Sequence, residues 1–181
     1  VSAIILVGAS GTGKSSIVRE LGKRGWVAGD VDHVVASQAG MNVTDYYLSI
    51  EPGTRNATIR EALNGFFDDI ASEPAERWAL AIPSEVFSGK YDAEFAAERD
   101  RLGKLPDAIV VHLRADLSTL VTRNGLIGPR SGAMIMPRKE FRQMLHQREP
   151  SYAAVATHEC DTTTMTPEQA ADHILSFTQS R

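Results

Sequence analysis

Residues Gly8 to Ser15 read GASGTGKS, a complete GxxxxGK[ST] pattern, and the apolar run Ser2-Ala-Ile-Ile-Leu-Val7 leads straight into it. Such a loop works only where a buried strand ends and a helix begins, because successive backbone N–H groups must curl around a phosphate at the positive end of the helix. Strand, turn and helix are all in order here, which sets the pattern apart from an ordinary glycine turn. Gly8 and Gly13 permit backbone angles and close approaches that a side chain would block, while Gly11 and Thr12 add main-chain donors. Lys14 is then expected along the β- and γ-phosphates, with the Ser15 hydroxyl offered to magnesium.

A loop of this kind needs a parallel α/β sheet around it, and the rest of the chain supplies one. Strands are expected at Trp26–Ala28, Trp78–Ile82, Ala108–Leu113 and Thr157–Cys160 besides the first. Helices alternate with them, from Ser15 to about Lys23, as a short turn from His33 to Ala39, over Asp45–Ser49 with Asn42 or Thr44 as cap, and over Thr54–Ile70 with Ile59, Leu63, Phe66, Phe67 and Ile70 at helical spacing. Further helices are expected over Asp92–Leu102, after Asp116 or Ser118, and from Arg138 to about Val155 with an interruption near Pro150. A last helix has Thr166 as its cap and Pro167 at its first position. The 181 residues suit a single domain, residues 1–181, with a three-layer α/β sandwich of the P-loop NTPase type around a five-stranded parallel sheet.

Composition narrows the partners. A net charge of −4 with no basic tail argues against nucleic acid and for a small-molecule substrate, and no apolar stretch approaches membrane-spanning length. The single cysteine, Cys160, forbids an internal disulfide and reads as part of a short buried strand. The cytoplasm is the natural compartment, and no obligate protein partner is evident.

In such a sheet a ligand binds beyond the carboxyl ends of the strands. Asp30 and Asp32 follow the second strand at that edge, where one acid can hold magnesium through water and the other can accept a proton from a substrate hydroxyl. Arg123, Arg130, Arg138, Arg142 and Arg148 concentrate positive charge on one loop and helix, and Arg130 lies in a stretch from Asn124 to Pro137 that holds three glycines and two prolines. A lid over about residues 124–137 could bring Arg130 to a moving phosphoryl group while expelling water. Met134 and Met136 would then be apolar cover. The five histidines show no metal-ligand spacing, and Tyr46 and Tyr47 could line an acceptor pocket or simply pack.

Along nearly its full length the chain resembles the shikimate kinase family. The resemblance is carried by GASGTGKSSIVRELGKRG, by GDVDHVVASQAGMNVTDYY, by VTRNGLIGPRSG and by LHQREPSYAAVATHECDTTTMTPEQAADHIL. It implies ATP and magnesium, with Gly11, Thr12, Gly13, Lys14, Ser15 and Ser16 around the phosphates and Arg123 and Pro167 flanking the adenine. It further implies Asp30 as the magnesium-associated acid, Asp32 as the acid that contacts and deprotonates the acceptor hydroxyl, Arg130 as the lid arginine and Arg148 as a carboxylate-binding arginine. The activity implied is transfer of the γ-phosphoryl group of ATP to a hydroxyl of shikimate or a related acid.

Two departures bear on the acceptor. Three consecutive glycines of the family are replaced here by Pro83-Ser84-Glu85, which fills space and adds negative charge where an anionic acid would bind. The family's second substrate arginine has no exact counterpart, and Arg55 is preferred over Arg60 because it sits at the cleft end of its helix. A nucleoside, nucleotide or sugar-acid kinase shares the same layout of loop, acid and arginine lid, and a fold mate that binds nucleotide without turnover is the non-enzyme alternative. The missing Asn-Lys-x-Asp argues against a regulatory GTPase.

Overall fold

The computed structural model describes residues 1–123 and 138–179. Five parallel strands, β1 (Ala3–Gly8), β2 (Val27–Asp30), β3 (Trp78–Ala81), β4 (Ala108–Arg114) and β5 (His158–Asp161), stand in the order β2-β3-β1-β4-β5. β1 is central, with Ile5 in register with Leu80 on one side and Val110 on the other. Strands buried on both faces need apolar residues at every position, and β1 is buried along its whole length.

The two faces carry separate cores. Ile4, Leu6, Ala79, Ala81, Val111 and Leu113 point toward α1 (Lys14–Lys23) and α8 (Pro167–Thr178). Ile5, Val7, Leu80 and Val110 point the other way, toward α2 (Val31–Gln38), α3 (Val43–Ser49), α4 (Pro52–Ser72) and α5 (Asp92–Leu102). Alternation along each strand therefore builds a three-layer sandwich. Two further helices, α6 (Leu117–Arg123) and α7 (Arg138–Val155), close the edge beside β4, where Ala9, Leu120 and Phe141 pack together. No described helix is long and apolar enough to cross a membrane.

Three boundaries differ from the sequence reading for physical reasons. β2 runs on through Asp30, whose carboxylate accepts from the His33 N–H at 3.4 Å and caps α2. The helix thus begins at Val31, so Asp32 lies in its first turn instead of in a loop. Glu51-Pro-Gly53 opens α4, with the Glu51 carboxylate accepting from the N–H groups of Gly53 and Thr54 at 2.9 and 3.1 Å. Pro150 does not interrupt α7. Proline removes one N–H and crowds the preceding turn, but Pro150 and His146 are exposed, while Phe141, Arg148 and Tyr152 on the other face are buried and hold the helix down.

Candidate active site

The phosphate loop is built as its sequence requires. Gly13 sits at the start of α1 with φ +101, a left-handed angle that favours glycine. Gly8 is restricted by the sheet itself, because a Cβ there would lie 2.6 Å from the Leu113 carbonyl oxygen on β4. Lys14 is buried and donates to the carbonyls of Gly8 at 2.5 Å and Ala9 at 3.1 Å, which keeps its ammonium at the mouth of β1. The Thr12 side chain is turned inward, donating to the Ala9 carbonyl at 2.7 Å, and its main chain is held as well, the N–H donating to the same carbonyl at 3.3 Å and the carbonyl accepting from the Thr162 hydroxyl at 2.7 Å.

Cavities surround this loop. Gly11, Gly13, Lys14, Ser15, Ser16 and Arg123 line one of about 240 Å³. An adjoining cavity of about 180 Å³ is walled by Thr12, Ser16, Arg123, Thr162, Thr166 and Pro167, a slot between the loop and the start of α8. Arg123 is held across it by the carbonyls of Gly11 at 3.1 Å and Thr162 at 2.8 Å. On the other flank of α1, Ser15 and Asp30 line one cavity of about 400 Å³ together with Arg19 and His33.

Asp32 is 2% exposed and accepts a hydrogen bond from the Tyr47 hydroxyl at 2.5 Å. Tyr47 carries the Arg55 guanidinium 4.5 Å above its ring centre, and Arg55 also donates to the Tyr91 hydroxyl at 3.3 Å. Arg60 is engaged elsewhere, with Glu94 at 3.4 Å. Asn56, the neighbour of Arg55, is likewise turned to Glu94 at 3.0 Å.

The segment that replaces three glycines forms a buried 3₁₀ turn, Ser84–Phe87. Arg148 reaches it from α7, donating to the Ser84 carbonyl at 3.4 Å and standing 3.8 Å from a Glu85 carboxylate oxygen. Burial pushes the Glu85 carboxyl above its usual range, outweighing the pull of Arg148 and Arg55, while Asp32 and Lys90 also act on it. Behind them, Tyr152 stacks on Phe87 at 4.6 Å and on His112 at 4.5 Å between ring centres. Burial pushes the Tyr152 phenol up to about 12, and its hydroxyl has no hydrogen bond of ordinary geometry among the described residues.

Asp32, Arg55, Arg148 and Glu85 thus share one buried neighbourhood beyond the strand ends, and Lys14, Ser15, Ser16, Arg123 and Pro167 share another around the loop. Arg130, Met134 and Met136 lie outside the described residues. The sequence reading left Tyr47 undecided and passed over Tyr91 and Tyr152. The signal available was the placement of paired aromatics in a short helix directly after the acidic turn.

Residues 1–179 match the family model described as chloramphenicol phosphotransferase-like protein. The chain is 31% identical to a shikimate kinase of Salinispora tropica, covering 97% of each, and 31% identical to one of Streptococcus gordonii, covering 94% of this chain and 96% of the other. Among solved structures, shikimate kinase from Acinetobacter baumannii in complex with shikimate superposes with a TM-score of 0.81 at 22% identity, covering 99% of this chain and 94% of that one. A thymidylate kinase from Candida albicans shares the fold at a TM-score of 0.60 and 11% identity, covering 99% of this chain and 91% of that one. The chain belongs to the chloramphenicol phosphotransferase-like family, within the P-loop small-molecule kinases of the shikimate kinase type, and is a phosphotransferase with a hydroxyl acceptor.

Proposed function

We propose that this enzyme transfers the γ-phosphoryl group of ATP to a hydroxyl of shikimate or a related small molecule, with Asp32 as the base. The observation that carries the reading is the buried Asp32 in the first turn of α2, at the sheet edge where the phosphate loop also ends, with Arg55 and Arg148 close by. An acceptor hydroxyl at Asp32 would lie beyond the strand ends, where ligands of parallel sheets bind.

The division of labour follows from chemistry. Backbone N–H groups of the loop and the Lys14 ammonium neutralise the triphosphate, and Lys14 need only swing from its own loop carbonyls to do so. Arg123 and Pro167 wall the slot that suits an adenine ring. Asp32 orients the acceptor hydroxyl and takes its proton, with Tyr47 fixing the carboxylate. Arg55 and Arg148 hold the acceptor from the far side, and Arg130, by its place in the sequence, is assigned to the transferring group.

Magnesium suits the hydroxyl of Ser15 and the carboxylate of Asp30, two hard oxygen donors on one cavity. When bound it would offset the phosphate charge.

ADP release measured with shikimate, related cyclic acids, gluconate, chloramphenicol and nucleosides tests the reading. Turnover with shikimate or a related hydroxyl compound supports it. A response to nucleosides alone would transfer the activity to the nucleoside kinases, and silence throughout would leave a nucleotide-binding protein.

A further inference from the structure

We infer that Glu85 sets acceptor specificity as the resident counter-ion of Arg148 and Arg55, so that the site selects hydroxyl acceptors bringing no carboxylate to those arginines. This rests on the reading of the cleft around Asp32 as the acceptor pocket.

The first support is position. Glu85 belongs to a turn buried at every residue, and that turn is pinned from two sides. Arg148 donates to the Ser84 carbonyl at 3.4 Å, and Arg99 donates to the Val86 carbonyl at 2.8 Å. The backbone therefore cannot readily carry the carboxylate away. The side chains of Arg148 and Glu85 are 8% and 12% exposed, so their pairing at 3.8 Å is made largely out of water.

The second support is charge. Arg148 and Arg55 lower the proton affinity of Glu85, Lys90 does so from the neighbouring 3₁₀ turn, Gly89–Tyr91, and Asp32 raises it. Glu85 thus already faces both arginines, with the Asp32 carboxylate acting on it as well. An acceptor carboxylate drawn to Arg148 would have to displace Glu85, leaving a buried anion beside Asp32 without its partner. Removing one member of a buried pair in this way is strongly unfavourable.

The third support is what the pocket offers an uncharged molecule. Arg55 Nε is a buried donor without a hydrogen-bond partner among the described residues. Such a group is costly unless a ligand satisfies it. Glu85 can accept a hydrogen bond from an acceptor hydroxyl or amide.

The test is a matched pair, shikimate and its methyl ester, which differ in charge at one group. Steady-state kinetics with the wild type should favour the ester over the acid by at least about tenfold in kcat/KM. Glu85→Gln should shift that ratio toward the acid by about tenfold or more, chiefly through KM. Should Glu85→Gln fail to fold, Glu85→Gly carries the same expectation, and the wild-type ratio needs no variant. A wild type that prefers the acid, or a ratio unmoved in the folded variants, overturns the inference.

If neither compound is phosphorylated, titration calorimetry of both on wild type and Glu85→Gln decides. Ester binding by the wild type with acid binding gained in the variant supports the role of Glu85. Acid bound by the wild type as tightly as ester, or no binding of either compound to either protein, overturns it. The kinase reading is judged separately, by acceptor-dependent ADP release that Lys14→Met abolishes.

Discussion

The Tyr47 hydroxyl donates to Asp32 over 2.5 Å, and the same ring carries the Arg55 guanidinium 4.5 Å above its centre. One side chain thus ties the proposed base to an arginine of the acceptor pocket. A hydrogen bond to an ionised group is worth about 1.5–3 kcal/mol. Tyr47→Phe keeps the ring beneath Arg55 and removes that bond. Its kcat is predicted to fall about tenfold or more, with KM for ATP unchanged. An unchanged kcat would show that Asp32 needs no such support.

Arg99 acts at a distance from the reacting groups. It joins the Val86 carbonyl at 2.8 Å to the Asp92 carboxylate at 2.8 Å, and so fixes the turn that carries Glu85 against α5. Arg99→Ala is predicted to cost about 1–3 kcal/mol in urea unfolding and to raise the acceptor KM several-fold without altering KM for ATP. Equal effects on both substrates would mean a general loosening of the fold.

Gly8 meets β4 more closely than any side chain allows, with a Cβ position 2.6 Å from the Leu113 oxygen and φ at +150. Because β1 and β4 are central, the strands cannot part without opening both cores. Gly8→Ala is predicted to destabilise by about 3 kcal/mol or more in equilibrium unfolding. A loss below about 1 kcal/mol would contradict the tight register between Gly8 and Leu113.

His112 is buried against Tyr152, and burial lowers its pKa from the ordinary 6.5. The unfolded chain therefore binds the proton more readily than the native state. Its stabilising share is complete above pH 6.5 and is lost as the pH falls below that value toward the lowered native pKa. His112→Phe preserves an aromatic stack, so Tm of the variant is predicted to fall less than that of the wild type between neutral and mildly acidic pH. Parallel Tm profiles would contradict this account.

Local pattern made the framework readable. Apolar runs marked the five strands, GASGTGKS marked the loop, and the Thr166 cap followed by Pro167 marked the last helix, where the structure adds a capping box with Gln169. Arg55 was preferred over Arg60 for its place at the cleft end of α4, and its contacts with the Tyr47 carbonyl and the Tyr91 hydroxyl could not be read from that position. Long-range partners were less legible. Glu85 stood out as an acid in the wrong place, but its pairing with Arg148, sixty-three residues away, depends on how α7 crosses the sheet edge. Pro150 suggested a break because local propensity was weighed without the buried face that holds α7 together.

The central claim is that Asp32 accepts the proton of an acceptor hydroxyl whose new phosphate comes from ATP held at Lys14. Transfer of labelled γ-phosphate to the acceptor, measured beside ATP binding in Asp32→Asn, tests it most directly. The variant is predicted to bind ATP as the wild type does and to lose about a hundredfold or more in transfer rate. Full transfer by Asp32→Asn would contradict the account.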